Sequence, residues 1–236
     1  MTIRYNIIAT HKCGSTILKK VLSCIFGDTK SKTLFDNHNV VTHEEAEYMF
    51  CRDTELIDDK IHANDKFVCV PRNPVSMSIS MFYSYAYTHP QNKNQTKKQY
   101  KESRLKNQET GLEKYVEQAM KRNSRKIERI FDSKVDKTLI PYELMVSNFE
   151  LFLHQLLDSL NMLHRYEEVY AEHKSDFKPI EDKSDQIVSG KYKGHKRTTE
   201  INEWKTKFDK KTLNHYIKMY PIVKTYENYL KSLDIN

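Results

Sequence analysis

Glycine is scarce in this 236-residue chain, which holds only five. The ATP/GTP loop GxxxxGK[ST] needs two glycines with its lysine after the second. The one candidate loop, residues 10–16, has a single glycine with the lysine in front of it, so the ATP/GTP version of the motif is not satisfied. The four cysteines, Cys13, Cys24, Cys51 and Cys69, show no CxxC spacing and no partnered histidine cluster. Neither a disulfide set nor a metal is therefore expected. Cys24 and Cys69 fall in apolar runs and read as small core residues. Cys13 reads first as a loop spacer, and second as a thiol whose pKa a helix N-terminus and Lys12 would lower. No apolar stretch approaches the ~20 residues of a membrane span. The opening MTIRYNII runs straight into a strand without a signal-peptide pattern, so a cytoplasmic location is expected.

Apolar residues make up 38% and charged residues 30%, which predicts long surface segments around one α/β core. The formal net charge of +7 calls for an anionic partner. The positive charges are interspersed with Glu and Asp, without a basic stripe or aromatic interleaving. Nucleic acid is not the expected partner.

What is present starts with residues 3–26. Tyr5 to Ala9 is a short apolar run with β-branched residues, a buried strand. Ile17, Leu18, Val21, Leu22, Ile25 and Phe26 form a helical stripe. Between them, Thr10-His11-Lys12-Cys13-Gly14-Ser15-Thr16 is a polar strand-to-helix turn. Such a turn aims backbone N–H groups and a helix dipole at one spot, which suits phosphate or sulfate. Gly14 permits close approach, Lys12 adds a point charge, and Ser15 and Thr16 add hydroxyls.

Further along, residues 39–42 predict a second strand, followed by His43 and a helix over 44–50. Residues 52–65 read as charged and exposed. Lys66 to Val70 is the clearest strand, leaving through Pro71-Arg72-Asn73-Pro74 into a helix carrying Val75, Met77, Ser78, Met81, Phe82 and Tyr85. Residues 89–110 read as a polar loop or lid. Helical periodicity returns over 111–131, a strand over 137–140 and an apolar helix over 149–163. A polar stretch over about 165–203 precedes C-terminal helices divided by Pro221. Two strand–turn–helix units predict a doubly wound parallel sheet flanked by helices, one domain over 1–236, with its ligand at the strands' C-terminal edge.

Four sites in this order resemble the superfamily of sulfotransferases that use 3′-phosphoadenosine 5′-phosphosulfate (PAPS). Lys12-Cys13-Gly14-Ser15-Thr16 is similar to the 5′-phosphosulfate loop. Arg72-Asn73-Pro74 with Ser80 eight residues after Arg72 is similar to the 3′-phosphate grip, and an Arg fork with a hydroxyl suits that anion. Tyr142-Glu143 resembles the segment whose tyrosine contacts adenine, although Leu144 stands where the family has aspartate. Arg197-Thr198 through Trp204-Lys205 resembles the loop that closes over the nucleotide, without its glycines; Lys193 and Lys196 are alternative closing residues.

The resemblance implies a P-loop-like fold and in-line sulfuryl transfer from PAPS to a hydroxyl or amine of a small-molecule or carbohydrate acceptor, with PAP as product and no metal. It implies Lys12, Ser80 and a histidine base as catalytic residues, and Cys13, Gly14, Ser15, Thr16, Arg72, Tyr142, Arg197 and Thr198 with Lys12 and Ser80 as cofactor contacts. Val41-Thr42-His43 occupies the family's base position, so His43 is the expected base, with His38 and Glu44 as rivals. The alternatives are a nucleotide-dependent phosphotransferase, for which no strand-ending Asp for magnesium is apparent, and a non-catalytic basic module binding anions or nucleic acid.

Overall fold

The computed structural model describes residues 2–10, 12–26, 40–43, 46–51, 54–57, 64–88, 94–174, 187–188, 191–192 and 201–235. The strands are β1 Ile3–Ala9, β2 Val40–His43, β3 Ala46–Cys51, β4 Asp65–Val70, β5 Lys137–Leu139, β6 Ile187–Val188 and β7 Lys191–Tyr192. The helices are α1 Ser15–Phe26, α2 Pro74–Tyr83, α3 Lys97–Thr110, α4 Leu112–Asp132, α5 Tyr142–Ser147, α6 Phe149–Ser159, α7 Tyr166–His173, α8 Glu203–Lys207, α9 Lys210–Met219 and α10 Ile222–Ser232. They fall into two compact units. The first comprises Met1–Arg72, Lys126–Lys178 and Ser232–Ile235; the second comprises Asn73–Arg125, Pro179–Lys231 and the terminal Asn236.

The first unit is built on a five-stranded sheet of order β2-β3-β1-β4-β5. β3, β1, β4 and β5 run parallel, and β2 is added antiparallel at the edge of β3. Ile7, Ile8 and Ala9 of the central β1 are wholly buried, as a parallel strand covered on both faces requires. α1 buries Leu18, Val21, Leu22, Ile25 and Phe26, the stripe expected from its periodicity. Ile8, Ile57, Phe67, Cys69 and Ile130 form a shared core. α6 buries Phe149, Phe152, Leu153, Leu156 and Leu157.

The chain moves from β1 to β3 on one side and then to β4 on the other. The C-terminal end of β1 is therefore the topological switch point, where open α/β sheets bind ligands.

Several expectations are corrected. Residues 44–50 were expected to be a helix, yet 46–51 form β3. Tyr48 and Phe50 are buried on this strand, and Tyr48 stacks on its register partner Tyr5 with ring centroids 5.1 Å apart. Glu47, part of the acidic signal for a helix start, instead faces Arg4 across the ladder at 2.9 Å. Cross-strand pairing outweighs local helix propensity here. In the stretch expected to be exposed, Thr54 and Ile57 are buried in a 3₁₀ turn. The helix expected to reach residue 163 ends at Ser159. Asn161 then takes φ +58, and the flanking Leu160 and Met162 are buried.

In the second unit, the polar 89–110 stretch contains α3, a helix without a buried side chain. Its start is fixed by a capping box: Thr96 accepts from the Gln99 N–H while Gln99 accepts from the Thr96 N–H. Asn73 caps α2, accepting from the Val75 and Ser76 N–H groups at 2.9 and 3.2 Å. Val75, Ile79, Val116, Met120, Trp204, Tyr216 and Val223 pack together as the unit's core. No helix among the described residues is long and apolar enough to cross a membrane.

Candidate anion-binding site

The loop after β1 folds by an alternation of backbone hand. Lys12 has φ +65 and Gly14 has φ +72, while the intervening Cys13 is not in the positive region. Alternating hands turn successive N–H groups toward one concave side, a nest that favours anions. For Lys12 the left-handed conformation costs about 1–2 kcal/mol, a strain tolerated where surrounding contacts fix the loop.

Those contacts are present. Cys13 is fully buried, and its Sγ lies 2.6 Å from Thr10 Oγ1 in a hydrogen bond. The Cys13 N–H donates to the Thr10 carbonyl at 3.2 Å. Ile17 and Leu18 both donate to the Gly14 carbonyl, at 2.9 and 3.0 Å, which starts α1. The N–H groups of Ser15 and Thr16 lie ahead of this first helical bond and have no intrahelical acceptor.

β4 and β5 supply the neighbouring wall. Arg72, just beyond β4, donates through Nη1 to the Lys12 carbonyl at 2.8 Å. Its guanidinium carbon lies 4.3 Å from the centroid of the Tyr142 ring, a cation–π contact. Its Nε is buried without a hydrogen-bond partner. Tyr142 is positioned by its own N–H, which donates to the Pro71 carbonyl at 2.8 Å. A Cβ on Gly14 would lie 2.7 Å from Met145 Sδ and 3.3 Å from Tyr142 Cε2, so the loop packs directly on α5.

Lys12, Cys13, Gly14, Ser15, Thr16, Arg72 and Tyr142 thus meet at one sheet edge. Two further charges belong to the surroundings. Lys126 of α4 and the buried Glu143 both act electrostatically on Cys13, with opposite signs. Sequence reading missed Lys126 because it sits on a periodic helix with no motif around it. The expected lowering of the Cys13 pKa is reversed. Burial pushes the thiol up to about 12, outweighing the Thr10 hydrogen bond and the positive charges of Arg72 and Lys126. Cys13 fills the loop as a neutral spacer.

Ser80 lies on α2 in the second unit and is half-buried. Trp204 is core in that unit. Arg197, Thr198, Lys193, Lys196, His38 and Glu44 lie outside the described residues.

His43 is corrected in position. It ends β2 opposite Ala46, and Ala46 pairs with Ile3 at the start of β1. From Ile3 to Ala9 is six residue steps, about 20 Å at ~3.3 Å per step. His43 therefore lies at the sheet edge opposite the 10–16 loop. The cause is the reversal into β3: a crossover helix would have carried the chain back to start a parallel strand, whereas a hairpin leaves His43 where β3 begins.

No family model and no curated protein sequence matches this chain. Among solved structures it is similar to mouse sulfotransferase SULT7A1 complexed with PAP, at 13% identity and a TM-score of 0.48 over 98% of this chain and 89% of that one. It is also similar to the sulfotransferase domain from the curacin biosynthetic pathway, at 13% identity and a TM-score of 0.44 over 93% and 97%. The likeness is one of fold outline.

Proposed function

We propose that the 10–16 loop, with Arg72 and Tyr142, holds the phosphosulfate donor PAPS and that the protein is a sulfotransferase. The observation that carries this reading is the braced nest at the switch point, with Arg72 tied to the Lys12 carbonyl and stacked on Tyr142. The residues fit a donor that is both anionic and aromatic. The first-turn N–H groups and Lys12 suit its 5′-phosphosulfate, the buried Arg72 Nε suits a further phosphate oxygen, and Tyr142 offers a ring face.

When bound, PAPS supplies an activated sulfuryl group. Lys12 then has the role of neutralising charge that grows on the leaving phosphate, and the loop N–H groups hold that phosphate fixed. Gly14 lets the backbone come close enough to do so. Ser80, Arg197 and Thr198 remain proposed cofactor contacts by the motif order alone. His43 is not proposed as the base.

Incubation with sulfur-labelled PAPS and a mixed panel of hydroxyl and amine acceptors tests the reading. Labelled product and PAP that disappear in Lys12→Ala are expected. Transfer from ATP with magnesium, and none from PAPS, would replace it with a phosphotransferase.

A further inference from the structure

A second cluster lies away from the anion loop, in the first unit. Cys24 on α1 and the adjacent Glu172 and His173 at the end of α7 bring a thiol, a carboxylate and an imidazole together. One donor atom from each lies within 4.8 Å of the others. Cys24 Sγ donates to Glu172 Oε2 at 3.0 Å, and Glu172 Oε1 lies 3.7 Å from His173 Nε2.

These spacings are those of a metal's coordination edges. A tetrahedral zinc ion with bonds of about 2.3 Å to sulfur and about 2.0 Å to nitrogen and oxygen separates its ligands by roughly 3.3–3.6 Å. The two separations, one to each Glu172 oxygen, bracket that range, and the Cys24–His173 edge lies within 4.8 Å, so drawing the side chains together by up to about an ångström would seat an ion. We propose that Cys24, Glu172 and His173 form a site for a thiophilic divalent ion of the zinc class, with its fourth position open to water or an exogenous ligand.

The surroundings support an occupied site. The His173 side chain is 6% exposed, whereas that of Glu172 is 58% exposed, so an ion has an entry path beside a buried imidazole. Arg165, the nearby cation, is committed elsewhere. It pairs with both Glu168 oxygens at 2.8 Å and donates to the Ile25 and Cys24 carbonyls at 3.2 and 3.4 Å, joining the end of α1 to the start of α7. A sulfur–nitrogen–oxygen set selects zinc-like ions over magnesium or calcium, which prefer oxygen alone. Cys24, expected to be core, is the half-exposed member of the four free cysteines, the other three being buried. Glu172 lies 148 residues from Cys24 and His173 follows it directly, so local spacing gave no sign of the cluster.

The full chain, stripped with chelator, is titrated with zinc(II) alone and then with cobalt(II). One equivalent of zinc is expected to bind and to slow alkylation of Cys24 by at least about tenfold. Cobalt is expected to give a thiolate-to-metal charge-transfer band. Cys24→Ser should abolish the band, and His173→Gln should weaken zinc by about tenfold or more, the usual scale for disturbing a metal site. If Cys24→Ser does not fold, the cobalt spectrum of the unmodified chain and His173→Gln decide. No charge-transfer band, or unchanged affinity in both folded variants, would leave the cluster a plain S–H···O contact and overturn the proposal.

Discussion

The Arg72 guanidinium donates to the Lys12 main-chain carbonyl at 2.8 Å, across sixty residues of sequence. One side chain thereby fixes the strained turn of the anion loop and brings positive charge beside it. Arg72→Lys keeps the charge but loses the planar fork and cannot brace the loop while facing a ligand. Binding of an anionic nucleotide should weaken by tenfold or more, about 1.4 kcal/mol. Tyr142→Phe should bind nearly as the wild type, and Tyr142→Leu should lose roughly 0.5–1 kcal/mol of stacking. Titration calorimetry on the three variants gives the order.

Two glycines share a backbone hand and differ in surroundings. Gly14 at φ +72 would place a Cβ 2.7 Å from Met145 Sδ, whereas Gly111 at φ +76 has nothing within 4 Å. Gly111, with ψ 162, sits in a positive-φ extended conformation that only glycine adopts readily, so Gly111→Ala should cost about 1–3 kcal/mol in backbone strain alone. Gly14→Ala carries positive-φ strain as well, and its Cβ makes the buried thioether end of Met145 shift and crowds the Tyr142 ring beside the loop. Thermal melting should show both variants destabilised, and only Gly14→Ala should impair anion binding.

The sequence made β1, the loop and α1 legible because each obeys a local rule: an apolar run, a polar turn and a 3.6-residue stripe. β3 was hidden because its acidic residues read as a helix start, while Glu47 answers to Arg4 on a neighbouring strand. The same error carried His43 to the wrong sheet edge, since one mistaken element reverses the chain direction after it. α3 was missed because it buries nothing, although Thr96 and Gln99 held its capping signal. The Arg72–Tyr142 stack joins two strand ends that only the sheet order brings together.

Arg104 is the anchor of α3. Its Nε donates to the Ala86 carbonyl at 3.2 Å, another guanidinium nitrogen donates to the Tyr87 carbonyl, and Gln108 donates to Ala86 at 2.8 Å. These carbonyls belong to the π-helical turn Ser84–Thr88, where helical acceptors run out. Arg104→Ala should destabilise by about 1–3 kcal/mol, as expected for charge-assisted bonds. Hydrogen exchange should speed up in residues 97–110 before elsewhere.

Alkaline pH should weaken the fold. Burial raises Cys13 and Cys69 from 9.0 to about 12, and it raises Tyr115 and Tyr216 from 10.0 to about 12. Between these values the unfolded chain has released protons that the folded chain still holds, so stability falls as pH rises. The contribution is fully present below about pH 9 and lost on passing through pH 12. Melting temperature followed across that window should decline, with a shallower slope in Cys69→Ala. At neutral pH, Cys13 should resist alkylation until the protein unfolds.

The central claim, that the braced loop accepts a 3′-phosphorylated sulfonucleotide, is tested most directly by calorimetric titration with PAP beside ATP and adenosine 5′-phosphosulfate. Micromolar binding of PAP, much weaker binding of the other two and its loss in Arg72→Ala are the predicted results. Equal affinity for all three nucleotides, or PAP binding untouched by Arg72→Ala, would contradict it.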